Sequence, residues 1–161
     1  MLFRSTVKAG AAEAGYNASA YDWGKDKASI LFLGYAGGMD SEQMLHWLYQ
    51  SDGAELWSKW REETTGLIAM PLCVYPTEIF LHSRKPVQTL DDLKGIKLRT
   101  AGVWIELARE LGAAPITASG GDIFPMLERG VIDATEWATP WHNQIAGLHK
   151  AVQYIVLPGV H

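Results

Sequence analysis

The chain has 161 residues, 48% of them hydrophobic, with 14 basic against 18 acidic residues and a net charge of −4. That suffices for one ordinary domain or two small lobes, and the basic residues are too scattered for a nucleic-acid surface. The single cysteine excludes an internal disulfide, and no apolar run approaches the length of a membrane span.

The amino terminus has no basic region followed by an apolar stretch, so no signal peptide is visible and the chain on its face would stay in the cytoplasm. Residues 7–16 are rich in Ala and Gly and weakly helical. Residues 18–23 read as a strand ending in Tyr21, Asp22 and Trp23, whose aromatics are ordinarily core. Residues 34–38 form a glycine loop. Asp40 and Gln43 then read as a capping box opening a helix with Met44, Trp47 and Leu48 on its apolar face. Asp52 and Glu55 repeat the device, with Leu56, Trp57 and Trp60 as the next apolar face.

From Leu67 the texture changes to strand–helix steps. Strands are predicted over 67–74, 78–82, 96–100, 114–117, 134–137 and 152–157. Cys73, inside the first of these, reads as a small buried hydrophobe. Helical segments are predicted over 89–94, 103–111, 123–129 and 140–150, the first three stopped by Gly95, Gly112 and Gly130. This alternation implies an α/β fold with a largely parallel sheet. The shift near Pro76 suggests two lobes joined by a crossing strand, with a partial first lobe over 1–77, a second lobe over 78–157, and a truncated return to the first lobe over 158–161.

Few residues point to chemistry. Arg99 closes a predicted strand and offers a planar fork for a carboxylate or phosphate, although a surface arginine satisfies the same pattern. Glu136 and Trp137 close another strand. They read either as an ion-paired acid beside a core tryptophan, or as a cation ligand beside a pocket wall. In a parallel sheet the ends bearing Arg99 and Glu136 lie on one edge and can converge. Glu78 is unexpectedly polar for a strand and faces either solvent or a cleft. Residues 119–122, Ser-Gly-Gly-Asp, read as a tight turn with Asp122 as a helix cap, not as a phosphate loop. The five histidines lack metal spacing, and no serine stands in a nucleophile elbow.

Three stretches together resemble a known family: Leu93-Lys-Gly-Ile-Lys-Leu-Arg99, Leu111-Gly-Ala-Ala-Pro115, and Gly120-Gly-Asp-Ile-Phe-Pro through Gly130-Val-Ile-Asp-Ala-Thr-Glu-Trp137. They look like the solute-binding subunit of TRAP (tripartite ATP-independent periplasmic) transporters, of the DctP-like kind. The branch resembled binds small 2-oxo or 2-hydroxy monocarboxylates. The resemblance covers nearly the whole chain, and Tyr21 with Trp23-Gly-Lys-Asp26 fits the same branch.

The resemblance implies a periplasmic-binding-protein-like fold of two lobes, the first incomplete, because family members are about twice this length. It implies that Arg99 pairs with the substrate carboxylate, with Tyr21, Trp137 and Glu78 among the substrate contacts. It also implies that Glu136, the Trp137 carbonyl and Glu78 hold a bridging cation, Na⁺ or Ca²⁺, with Glu78 favouring the divalent ion. The implied partners are a pyruvate- or lactate-type ligand and the membrane permease subunits, with a possible homodimer, and the implied place is the periplasm. The implied role is binding, not catalysis. Two rivals stand beside it: a repurposed half-domain acting as a scaffold or oligomer, and a metal-dependent enzyme using Glu78 and Glu136 on an oxo acid.

Overall fold

The structure is a computed structural model that describes residues 2–32, 35 and 37–159. The glycine loop expected at 34–38 and the end of the 158–161 segment fall partly outside these residues. The chain divides into two compact units, Met1–Tyr75 and Pro76–His161.

The first unit is helical. Helix α1 spans Leu2–Lys8, so the weak helical signal over 7–16 ends at its start. The expected strand over 18–23 is a 3-10 helix, Ser19–Asp22, and a second 3-10 helix spans Lys27–Phe32. Tyr21 is exposed there, not core. Helix α2, Ser41–Gln50, opens on the predicted capping box: Asp40 accepts from the Gln43 amide at 2.8 Å, and the Gln43 side chain accepts from the Asp40 amide at 3.1 Å. Helix α3, Gly53–Thr65, follows without a box, because Asp52 makes no side-chain cap and instead accepts from the Ser51 hydroxyl. Leu56, expected on the apolar face, is exposed.

What holds α3 in its unit is polar as much as apolar. Arg61 and Asp22, both buried, form an ion pair. The Trp57 indole donates to Ser19 Oγ at 3.2 Å, and the Trp60 indole to Asp26 Oδ2 at 2.7 Å, while Phe32 stacks on Trp60 at 4.9 Å.

The strand expected over 67–74 does not form. Residues 68–79 carry no regular element, and Ile68, Met70 and Leu72 point into solvent. The apolar alternation is present, but no neighbouring strand among the described residues accepts the ladder, so the pattern has nothing to pair with. Cys73 is exposed, not buried, 3.6 Å from the Tyr16 hydroxyl.

The second unit carries the sheet. Strands β1 (Leu81–Ser83), β2 (Lys97–Arg99), β3 (Ala114–Ile116), β4 (Ala134–Thr135) and β5 (Tyr154–Val156) lie in the order β3-β2-β4-β1-β5. The β3-β2-β4 half is parallel, as the strand–helix steps imply, whereas β1 runs antiparallel to both β4 and β5, so the sheet as a whole is mixed. Helices α4 (Trp104–Glu110) and α5 (Gly120–Glu128) make the parallel crossovers, and Gly112 and Gly130 follow them at φ 82° and 71°, a conformation that favours glycine. The helix expected over 140–150 is two, α6 (Pro140–Ile145) and α7 (Leu148–Ala151), broken where Gly147 turns left-handed.

Side chains of one strand alternate between faces. Leu98 and Ala134, paired across β2 and β4, join Leu81, Leu93, Ile96 and Ala108 in one apolar cluster. Arg99, Ile116, Thr135 and His82, linked by register, share the opposite face. A second cluster, Ile123, Leu127, Ile132, Leu148 and Val152, packs with Ile116 and Trp137. The strand ends bearing Arg99 and Glu136 are therefore held from two sides by buried cores.

Candidate functional site

Parallel pairing of β2 with β4 sets Arg99 opposite Thr135, so the next residue, Glu136, lies at the carboxyl edge beside Arg99. The predicted convergence is real. Glu136 donates its amide to the Arg99 carbonyl at 3.1 Å, and Arg99 Nη1 donates to the Glu136 carbonyl at 3.0 Å. Arg99 Nε and Nη2 donate to the Ala118 carbonyl at 3.0 and 2.8 Å, tying in the loop before α5.

Arg99 is no surface arginine: it is 1% exposed. Three of its five N–H donors meet backbone carbonyls, and the other two, one on each Nη, have no acceptor among the described residues. No described carboxylate forms an ion pair with it. A buried guanidinium held by neutral carbonyls alone keeps an uncompensated positive charge, a costly state that an incoming anion relieves.

The Glu136 side chain is buried, and its Oε2 accepts from the Thr100 hydroxyl at 2.8 Å. Its carbonyl also accepts from Thr135 Oγ1 at 3.1 Å, so backbone and side chain are both fixed. Trp137 is half-buried. Its ring packs on the second cluster and over Gly120, where an added Cβ would lie 2.8 Å from the ring; helix α5 opens at Gly120 because only glycine leaves space for the indole. No described hydrogen bond ends on the Trp137 carbonyl.

Asp122 is not the cap of α5. Ser119 holds that position, and its hydroxyl donates to Asp122 Oδ2 at 2.5 Å. Glu78 is half-buried at the start of the second unit. The adjacent Ile79 amide donates to the Ala138 carbonyl at 3.2 Å, so Glu78 enters the same β1–β4 seam that carries Glu136, and the chain near Gly159 lies against the Glu78 carbonyl. Tyr21 belongs to the first unit, in the 3-10 helix Ser19–Asp22.

The donors gathered at this edge are oxygens: a buried carboxylate and a carbonyl without a described partner. That set suits a hard cation such as Na⁺ or Ca²⁺ and not a thiolate- or imidazole-seeking metal. Among the described residues no group of three or more His, Cys, Asp or Glu side chains could hold a metal by itself. Sequence reasoning missed Thr100 and the Ala118 carbonyl, since neither a threonine after a strand nor a loop carbonyl carries a pattern. It also missed His82, which is 3% exposed with neither ring nitrogen hydrogen-bonded. Burial, and secondarily His149, lowers its pKa to about 4.

Comparison with known proteins identifies the family. Residues 4–161 match the model of the family described as bacterial extracellular solute-binding protein, family 7 (DctP). The chain is 32% identical over 153 residues to the monocarboxylate 2-oxoacid-binding periplasmic protein of Nostoc sp., covering 95% of this chain and 42% of that protein. A TRAP periplasmic solute-binding protein from Pseudoalteromonas atlantica, solved with sodium and pyruvate, superposes with a TM-score of 0.87 at 30% identity, over 98% of this chain and 48% of its own. One from Colwellia psychrerythraea, solved with calcium and pyruvate, gives 0.88 at 31% identity, again over 98% and 48%. The chain thus spans about half the length of the relatives it matches. It belongs to the DctP family of TRAP solute-binding proteins, a family of binding proteins and not of enzymes.

Proposed function

We propose that the protein of which this chain is part binds a small 2-oxo or 2-hydroxy monocarboxylate, of the pyruvate or lactate type, together with a cation, and hands it to a membrane permease from the periplasm. The observation that carries this reading is the buried Arg99, which among the described residues has two unengaged N–H donors and no acid partner, beside the fixed carboxylate of Glu136. In this reading Arg99 takes the ligand carboxylate. Glu136 and the Trp137 carbonyl hold the cation, the Trp137 ring walls the ligand, and Glu78 completes the shell. The relatives solved with pyruvate carry sodium in one case and calcium in the other, which supports an oxygen-lined cation site. The cation, when bound, supplies a positive charge shared between Glu136 and the ligand oxygens, while Arg99 orients the acid.

Calorimetric titration of the full-length protein with pyruvate, in Ca²⁺, in Na⁺ and in chelator, tests this. Binding that needs a cation and is lost in Arg99→Lys is expected, because lysine offers a point charge in place of the planar fork. No binding of pyruvate or lactate under any ion would overturn it. Unchanged ion preference in Glu78→Gln would remove Glu78 from the cation shell.

A second reading, a scaffold or homo-oligomer, is favoured by Ile68, Met70 and Leu72, which stand 92%, 70% and 71% exposed on one extended segment. A stable oligomer with no carboxylate binding would select it.

A further inference from the structure

We propose that Thr100 is a positioning residue of this site: its buried hydroxyl sets the orientation in which the Glu136 carboxylate meets the cation. The inference rests on the carboxylate-and-cation reading above and assigns a role to a residue that this reading does not use.

Thr100 follows Arg99 directly and is 1% exposed. Its amide donates to the Ile116 carbonyl at 3.1 Å, so its own backbone is fixed in the β2–β3 seam. From there Oγ1 donates to Glu136 Oε2 at 2.8 Å. An ionised carboxylate only accepts, so the hydroxyl must be the donor, and the bond is charge-assisted. The backbone of Glu136 is pinned independently by Arg99 and Thr135, and the Thr100 bond acts on its side-chain torsions. It engages Oε2, one of the two carboxylate oxygens that Glu136 can give to an ion.

Hydrogen-bond partners of metal-ligating groups commonly change metal affinity by about 10- to 100-fold when removed. A buried threonine can instead serve only through its methyl group. Thr100→Val keeps the shape and removes the hydroxyl, and Thr100→Ser does the reverse, so the pair separates the two roles.

The experiment is a Ca²⁺ titration of the full-length protein at saturating pyruvate, with ligand-free melting temperatures measured in parallel. Thr100→Val is expected to weaken Ca²⁺ by about tenfold or more, and Thr100→Ser to restore affinity to within about twofold. In a Glu136→Gln background Thr100→Val should add no further loss, because the coupled partner is gone. Should Thr100→Val not fold, Thr100→Ala takes its place in the same comparison. Wild-type affinity in Thr100→Val, or equal weakening in Thr100→Ser, overturns the role of Thr100 alone. A wild-type protein whose pyruvate binding ignores cations overturns the reading of the site, and this inference with it.

Discussion

The two units of the chain are built from similar material and reach different ends. In the second unit the strand–helix steps close on themselves: the sheet separates two buried apolar clusters, and Leu81, Ile123, Leu127, Ile132, Ala134 and Leu148 are fully buried. In the first unit, among the described residues, the buried apolar side chains are Met44 and Leu48, and the rest of its order comes from the Asp22–Arg61 pair, two indole hydrogen bonds and aromatic stacking. A sheet gives helices a continuous surface to cover. Amphipathic helices without one leave apolar side chains in water, as Leu45, Tyr49 and Leu56 are left. The site residues with buried, fixed geometry all belong to the unit that owns a core.

This contrast can be tested by substitution and by pH. The largest effect is expected from Leu127→Ala, which empties a fully buried position in the second unit and should cost about 3 kcal/mol of unfolding free energy in denaturant titration. Ile68→Ala in the first unit should cost under about 0.5 kcal/mol, and equal losses at the two positions would erase the comparison.

Acidification should act next, through His82. Its pKa is lowered to about 4 by burial and by His149, against an unfolded value near 6.5, so the unfolded chain binds the proton first as pH falls. The contribution to stability is whole above pH 6.5, declines between 6.5 and about 4, and stays lost below. It should amount to about 2 to 3 kcal/mol. The difference between the wild-type and His82→Leu stability–pH curves isolates it, and parallel curves would show that the imidazole is hydrated after all.

Gly120→Ala sharpens the link from core to site. The new methyl must displace the Trp137 ring, costing about 1 to 2 kcal/mol and weakening pyruvate binding in the same variant. Within the first unit, Asp40→Ala should cost about 1 kcal/mol through its lost cap, whereas Asp52→Ala should be close to silent in the same melting experiment, because Asp52 caps nothing.

Much of the second unit is legible in the order of residues. Gly95, Gly112 and Gly130 mark where elements stop, and the strands beginning near Lys97, Ala114 and Ala134 follow from apolar runs between those stops. Local chemistry of this kind needs only near neighbours, and so does the Asp40–Gln43 box. The failures occur where the partner is distant. The apolar alternation over 67–74 is a strand pattern without a ladder, and Ala18 to Trp23 coils into a 3-10 turn because the Trp57 indole and Arg61 hold Ser19 and Asp22. The antiparallel placement of β1 between β4 and β5 is likewise a long-range choice that no local signal encodes.

The sequence by itself determined the ancestry, the α/β texture of residues beyond Pro76, and the candidate pair of Arg99 with the Glu136–Trp137 step, because motif order and hydrophobic periodicity are properties of the chain. Only the tertiary structure decided that Arg99 is buried with no acid paired to it among the described residues, that Thr100 holds Glu136, and that His82 is enclosed with no described hydrogen bond to its ring. Those facts depend on which strands became neighbours, and strand neighbours are chosen by burial of distant faces, not by the residues next along the chain.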